Sequence, residues 1–457
     1  MRDFLKKYNW FQTKHSILFA LIGGIVIYSV FFVTSWGRLD PDFGWHLATG
    51  QYILNHGVPH YDIFTFTAKG HIWINHEWGN DVFLALIYKI GGYLLSSFFY
   101  ALLWTGALLL IGWRKKTWIL LVAALAIAPY AGIRPIAWSA FFFALTLRTL
   151  WSKNKNWRLV MPVIFLVWAN LHAGFIAGLA LIIYFAVMEL DLGLIMLLFL
   201  IGGLTLINPF GTGLYVEIAQ TIFDPNIHNQ IAEWRSFYIL TPSKPYIYLW
   251  VIGFLVFARP KWRRFISLGP LLFITGLVAS RNIPLFVIAT VGDLDAYVTT
   301  ALQKAKKFKL NILSKLTVSV SLALAILVLI YVVSVALLPI QSRFNNYPVK
   351  EVAYLKRHQC TGNLFNDYNY GGYLIWKLPH TPDYIDGRMV TWVNHMNNYL
   401  KVVEQPSKYY LTQFNKYNIK CALLSLPADG KLKTVLNRSG WKTIMTSENG
   451  ATLIETP

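Results

Sequence analysis

The chain has 457 residues, of which 56% are hydrophobic and 14% charged, with a mean hydropathy of +0.46. An ordinary soluble domain carries about 25% charged residues, so this balance excludes a soluble globular protein and points to a polytopic α-helical membrane protein. The net charge of +20 fits lysine and arginine in cytoplasmic loops and at lipid headgroups, not nucleic-acid binding.

The basic N-terminus leads into an apolar run over 15–34, followed by Trp36 and Arg38. The run is too long for a signal-peptide core and reads as a retained first helix. A first outer loop over 35–92 opens with RLDPDFGWHL. Residues 43–55 have an amphipathic pattern, with Phe43, Leu47 and Leu54 expected against lipid and Trp45 and Tyr52 in the headgroup zone. Gly57 and Pro59 end this helix. Asp42 falls at its N-cap position, so helix capping competes with catalysis as its role. Asp40, which precedes a proline, is either a turn residue or a catalytic one. His46 follows Asp42 by one turn and shares its face. His76 and Glu77 arrive just before the next apolar segment, while His56, His60 and His71 read as solvent-facing. HEW lacks the second histidine of a zinc motif. Two acidic sites on one loop suit a divalent cation, Mg or Mn, or a split between a base and an orienting group.

Further apolar runs lie near 93–112, 118–132, 135–150, 159–171, 173–190, 193–208, 246–258, 265–280 and 283–299. The clearest is 316–340, which carries no charge. Together they make about eleven spans, several of them shorter than the roughly 20 residues of a straight crossing. Basic clusters occur at the N-terminus, at Arg114-Lys115-Lys116, and over 153–158, 259–264 and 304–315. A cytoplasmic N-terminus puts all of them inside, as the positive-inside rule asks, and sends the C-terminal part outside. The loop at Glu189 and Asp191 has no basic residue and carries no vote. On this topology Asp40, Asp42, His46, His76, Glu77, Arg134, Asn170, His172, Asn208, Glu233, Arg235, Arg281 and Asn282 converge on the outer face. A transporter would place such groups near the midplane; a one-sided polar rim reads as an active site at the outer interface.

Residues 1–340 therefore form the membrane domain and 341–457 a soluble, extracytoplasmic α/β domain. Strand-length runs are Tyr384-Ile385, CALLSL (421–426), KTIMT (442–446) and ATLIE (451–455), and helical periodicity marks VKEVAYLKR and KLKTVLNR. Cys360 and Cys421 lack metal-ligand spacing and can form one disulfide if this part is exported. Gly371-Gly372 reads as a tight turn. Asp386-Gly387-Arg388 reads as a turn at a strand end, or as a group facing the membrane site.

A first loop opening on an Asp motif, a polytopic helical body and an exported C-terminal domain resemble the GT-C superfamily of glycosyltransferases. A closer resemblance is to bacterial membrane proteins with the pattern DPDxWWHLxxGxxI…HEW. This chain has DPDFGWHLATGQYI, GVPHYDIFTFT, WINHEW, IRPIAWSAF, WANLHAGFIAGL, NPFGTGLY, IAEWRS, SRNIPLF and NDYNYGGYLIWKLP…YIDGR, in that order. The first loop is also similar, more loosely, to that of oligosaccharyltransferase catalytic subunits, with Asp40 at the catalytic aspartate and His46 in place of an arginine. Where those proteins carry W-W-D-Y-G, this chain has Phe365-Asn366-Asp367-Tyr368 with glycine displaced to Gly371 and both tryptophans absent.

The resemblance implies a sugar bound to a polyprenyl phosphate, an inverting displacement at the anomeric carbon, and a glycan, lipid or protein acceptor at the outer face of the inner membrane. It makes Asp40, Asp42 and Glu77 the catalytic candidates. His46, His76, Arg134, Asn170, His172, Glu233, Arg281 and Asn282 become substrate-binding candidates, with Arg134, Arg281, His172 or a metal opposing the phosphate charge. Glu233 lies in an outer loop, 209–244, long enough to close over a donor. The rival readings are transfer from a lipid-diphosphate donor, a lipid or solute transporter, and a membrane assembly protein.

Overall fold

In the computed structural model the described residues are 21–112, 117–224, 231–235, 245–257, 267–307, 343–426 and 428–456. Uninterrupted apolar runs become helices, because a chain in lipid must satisfy its backbone groups within the segment. They are α1 (Leu21–Gly37), α2 (Phe43–His56), α3 (Trp78–Gly112), α4 (Thr117–Ile127), α5 (Ile136–Leu150), α6 (Met161–Leu171), α7 (Phe175–Glu189), α8 (Leu192–Thr205), α9 (Gly213–Phe223), α10 (Pro245–Phe257), α11 (Leu268–Val278) and α12 (Ile283–Lys307). Trp104, Trp168, Trp250, Phe31, Phe143, Phe165 and Phe286 are fully buried between them. The expected 316–340 span and the basic clusters at 114–116 and 259–264 lie outside the described residues.

Two expectations about the loops change. The 93–112 run is only the second half of α3, which starts at Trp78 and is interrupted at Gly91 and Gly92 (φ 60, ψ −153). Only glycine reaches that Gly92 conformation without strain, so the pair bends the helix there. The first outer loop, drawn to residue 92, therefore contains a helical stretch that carries site residues. The 209–244 loop likewise contains α9. At the opposite end of the bundle, Arg158 pairs with Asp191 (2.7 Å) and Glu189 (3.2 Å), and Lys155 with Asp191 (2.9 Å). The loop that carried no charge vote thus sits beside the basic cluster at 153–158.

The C-terminal part adds α13 (Val349–Arg357), α14 (Gly371–Lys377), α15 (Val393–Glu404), α16 (Pro406–Lys416) and α17 (Gly430–Arg438). Its sheet has the order β1-β2-β4-β3, from β1 (Asn363–Asn366), β2 (Ile419–Ser425), β3 (Lys442–Thr446) and β4 (Ala451–Glu455). β1 runs parallel to β2 and the other pairs are antiparallel. Cys360 and Cys421 are joined in a disulfide at the β1–β2 edge. β1 was not anticipated, since NLFN offers only two apolar residues. Tyr384-Ile385 is not a strand of the sheet; the preceding Asp383 exchanges backbone hydrogen bonds with Phe64 and Phe66 of the first loop. Gly371-Gly372 is not a turn but the start of α14.

These details hold α2 between two partners. Phe43 and Leu47, expected against lipid, are fully buried, with Phe43 packed on Tyr88, Tyr93 and Trp376. Trp45 is buried too. The reason is steric: Gly50 lets α2 meet the Asp81 carbonyl of α3, and Gly44 lets it meet the Gly372 carbonyl of α14. A methyl group at Gly44 would run into that carbonyl. Gly44→Ala should therefore cost about 1–3 kcal/mol, as overpacked cores do, read as a lower thermal unfolding midpoint in detergent.

A buried ion cluster fastens the same seam. Arg388 reaches Asp62 (2.8 Å) and Asp386 (2.7 Å) and lies over Trp73 (4.4 Å) and Phe64 (4.8 Å). His71, expected in solvent, packs in this seam on Trp392 and His395. His56 and His60 are exposed as expected.

Candidate functional site

The short link between α1 and α2 carries both first-loop aspartates. Asp40 Oδ1 accepts the Asp42 amide (3.0 Å), a turn contact, while its other oxygen pairs with Arg134 Nε (3.0 Å). Both roles weighed for Asp40 are thus compatible. Asp42 sits at the α2 N-cap position, but its side chain caps no amide. Its Oδ1 instead accepts the Trp45 indole N–H (2.9 Å). Helix capping is therefore not what Asp42 does. Among the described residues no lysine or arginine is ion-paired with it. Burial, then the neighbouring Asp40 charge, pushes the Asp42 carboxyl up to about 6, against the opposing pull of Arg134 and His46. Gly387 of the C-terminal domain abuts this carboxylate, and a side chain there would collide with it. The Asp386-Gly387-Arg388 turn therefore faces the site as well as fastening the seam.

One turn along α2, His46 is buried between two carboxylates. Its Nδ1 lies 2.6 Å from Asp81 Oδ1 and its Nε2 3.7 Å from Glu77 Oε2. Burial opposes the charge on this ring, but Asp81 and Glu77 together raise it to about 8. Glu77 also faces His172 (3.4 Å) and His76 (3.7 Å). Burial would raise the Glu77 carboxyl, yet the imidazoles of His76, His46 and His172 hold it below its usual range. His172 Nδ1 accepts the Gly174 amide (3.0 Å) and faces the Ser139 hydroxyl (2.6 Å), which itself accepts from Trp168 (2.8 Å). That pattern puts the proton of neutral His172 on Nε2, toward Glu77.

The cations gather beside Asp40. Arg134 bridges Asp40 and Glu233, the latter on the short turn at Ala232–Trp234. Arg281 stacks over Trp234 (4.6 Å), and among the described residues its guanidinium has no hydrogen bond or ion pair. The two remaining candidates are used structurally. Asn170 donates to the Leu166 and Ile207 carbonyls and accepts from Trp78, stitching α3, α6 and the end of α8. Asn282 donates to the Thr275 carbonyl of α11.

Asp40 is engaged by Arg134, while Glu77 faces the imidazoles of His46, His76 and His172. Among the described residues no group of three or more His, Cys, Asp or Glu is arranged to hold a metal ion.

Asp81 and Ser139 were missed. Asp81 had a legible signal: a carboxylate in an apolar run, one helical turn after Glu77. Ser139, a single hydroxyl in IAWSAF, had none.

Solved structures share this architecture. The archaeal oligosaccharyltransferase AglB from Archaeoglobus fulgidus, in complex with an inhibitory peptide and a dolichol-phosphate, superposes with a TM-score of 0.56 at 11% identity, over 98% of this chain and 75% of that one. Its apo form gives 0.56 at 12% identity over the same shares. ArnT from Cupriavidus metallidurans, bound to undecaprenyl phosphate, gives 0.50 at 12% identity over 97% of each chain. Both are glycosyltransferases of the GT-C type, and the likeness gives this chain the GT-C fold. No protein-family model and no curated protein matches its sequence.

Proposed function

We propose that the chain is an integral membrane glycosyltransferase. It moves a sugar from a polyprenyl-phosphate-linked donor to an acceptor hydroxyl at the outer face of the membrane, with inversion. The observation that carries this reading is one rim holding two complementary groups. Among the described residues, Asp42 is a partly buried carboxylate with no ion-paired lysine or arginine, and Arg281 is a guanidinium with no ion-paired carboxylate. The polyprenyl phosphates held by both structural neighbours support the choice of donor.

In the reaction Asp42 takes the proton of the acceptor hydroxyl as that oxygen attacks the anomeric carbon. The bond from that carbon to the phosphate oxygen breaks, and polyprenyl phosphate departs with both electrons. A base with its pKa near the working pH is suited to this step. Arg281, with Arg134 beside it, opposes the charge that develops on the phosphate. Asp40, tied to Arg134, is the orienting carboxylate. The Cys360–Cys421 disulfide supports an oxidising, extracytoplasmic setting for the C-terminal domain. The grouping of Lys155 and Arg158 with Glu189 and Asp191 at the opposite end supports a cytoplasmic side there.

The test is donor consumption, followed by mass spectrometry, with a panel of polyprenyl phosphate and polyprenyl diphosphate sugars, divalent metal and membrane extract. Turnover of one monophosphate donor is the expected result. Turnover of a diphosphate donor alone would replace the donor class, and none at all would favour a transporter or an assembly protein. Arg281→Ala should lower kcat/KM by about 10²–10³, the loss typical of a removed charge-stabilising donor.

A further inference from the structure

Behind the two first-loop aspartates lies a buried carboxylate that the reaction above does not use. Asp81, in the first turn of α3, is fully buried. It accepts from His46 Nδ1 (2.6 Å), Asn75 Nδ2 (2.8 Å) and Asn80 Nδ2 (3.4 Å). Asn80 is fixed in turn by Tyr100 and Trp138. A carboxylate with this many donors and no route to water is a rigid acceptor. It presents one oxygen to one ring nitrogen of His46.

The other ring nitrogen faces Glu77 (3.7 Å). A buried imidazole hydrogen-bonded to one carboxylate at 2.6 Å and lying 3.7 Å from a second is electrostatically favoured as a cation. The His46 ring also packs against the Trp45 indole at a tilt of 31°, with centroids 3.6 Å apart, and that indole N–H is the one bonded to Asp42 (2.9 Å). Asp81, His46, Trp45 and Asp42 therefore form one contiguous set across α3 and α2.

We propose that Asp81 is a positioning residue, which locks His46 in orientation and keeps it as the cation that faces both Asp42 and Glu77. The proposal rests on Asp42 acting as the base. The charged groups around His46 are Asp42 at the N-cap position of its own helix, Glu77 just before α3 and Asp81 in the first turn of α3, with His172 across Glu77. Asp42 in turn faces Asp40 and Arg134. Removing the Asp81 charge withdraws the partner that holds the proton on Nδ1. The ring then neutralises at lower pH, and Asp42 loses a cation that favours its ionised form.

Two readouts decide the matter on full-length protein in nanodiscs. The first is histidine ¹⁵N NMR, which needs no turnover, with the His46 signal identified by its loss in His46→Gln. Asp81→Asn, nearly the same shape as the native side chain, should lower the His46 titration midpoint by about one unit or more, since a neighbouring opposite charge is worth about that much. An unmoved midpoint overturns the proposal. The second is the acid limb of the pH–rate profile. It should move to higher pH in His46→Gln, which removes the cation outright, so the test survives if Asp81→Asn fails to fold. A shifted midpoint with an unmoved limb would overturn the link to Asp42 and leave the transfer reaction standing. A wild type inactive toward every donor would instead overturn the reaction, and with it any catalytic role for Asp81.

Discussion

Asp42→Asn should lower sugar transfer by about 10²–10⁴-fold, the usual contribution of a positioned general base. The amide keeps the shape of the carboxylate and can still accept from Trp45, so the protein should fold and bind donor, and the loss should appear in kcat. Asp40→Asn should cost less, because Arg134 retains Glu233 and the base itself is untouched. The pH dependence distinguishes the two further. The reaction needs Asp42 ionised, and its carboxyl is raised to about 6 by burial and by Asp40. Activity should therefore rise with pH through about 6 and level off above it, where an ordinary aspartate would already be ionised at about 4. In Asp40→Asn one of the charges that raises Asp42 is gone, so the limb should move to lower pH. If Asp40→Asn abolishes transfer while Asp42→Asn keeps most of it, the two roles are exchanged.

The sequence revealed most of the helices, because apolar length and basic loop clusters are local properties of the chain. The α2 helix was legible to within a residue from its amphipathic pattern and its Gly57 stop. The convergence of Asp40, Asp42, His46, Glu77, Arg134, Glu233 and Arg281 was legible from helix parity alone. What the chain does not reveal locally is the partner of each polar group. Asn170 and Asn282 look like site residues, yet the structure spends their amides on backbone carbonyls, 37 residues away in the bond from Asn170 to Ile207. Capping competed with catalysis for the Asp42 side chain because its position is right, whereas Trp45 takes its oxygen instead. The lipid-facing reading of Phe43 and Leu47 failed for a related reason. An apolar stripe says only that a surface is hidden, and here α3 and α14 cover it, admitted by Gly50 and Gly44. Gly91 and Gly92 end the first loop as drawn from the sequence, whereas they lie inside α3 and bend it.

Arg388→Ala should be the most destabilising single change in the seam between the first loop and the C-terminal domain. Arg388 and Asp62 are 326 residues apart, and both are buried with Asp386. Removing the guanidinium leaves two carboxylates in a dry site without their cation, and breaking a buried pair in this way costs about 3–5 kcal/mol. Lysine should not rescue it. Arg388 uses Nε and Nη2 to engage the two oxygens of Asp386 (2.9 and 2.7 Å), a fork that an ammonium cannot reproduce. The check is a double-mutant cycle on thermal unfolding in detergent. Arg388→Ala combined with Asp62→Asn should lose less than the sum of the two single changes, because the second removes one stranded charge. Additive losses would mean that the pair is not coupled. The same variant reaches the site, since Gly387 abuts Asp42 and its carbonyl accepts the Tyr368 hydroxyl (3.3 Å). A loosened turn uncovers the base to water. The Asp42 carboxyl should then relax toward its ordinary value, and the acid limb should move down in pH while the maximal rate falls. A rate loss with an unmoved limb would mean that the turn contributes to folding alone.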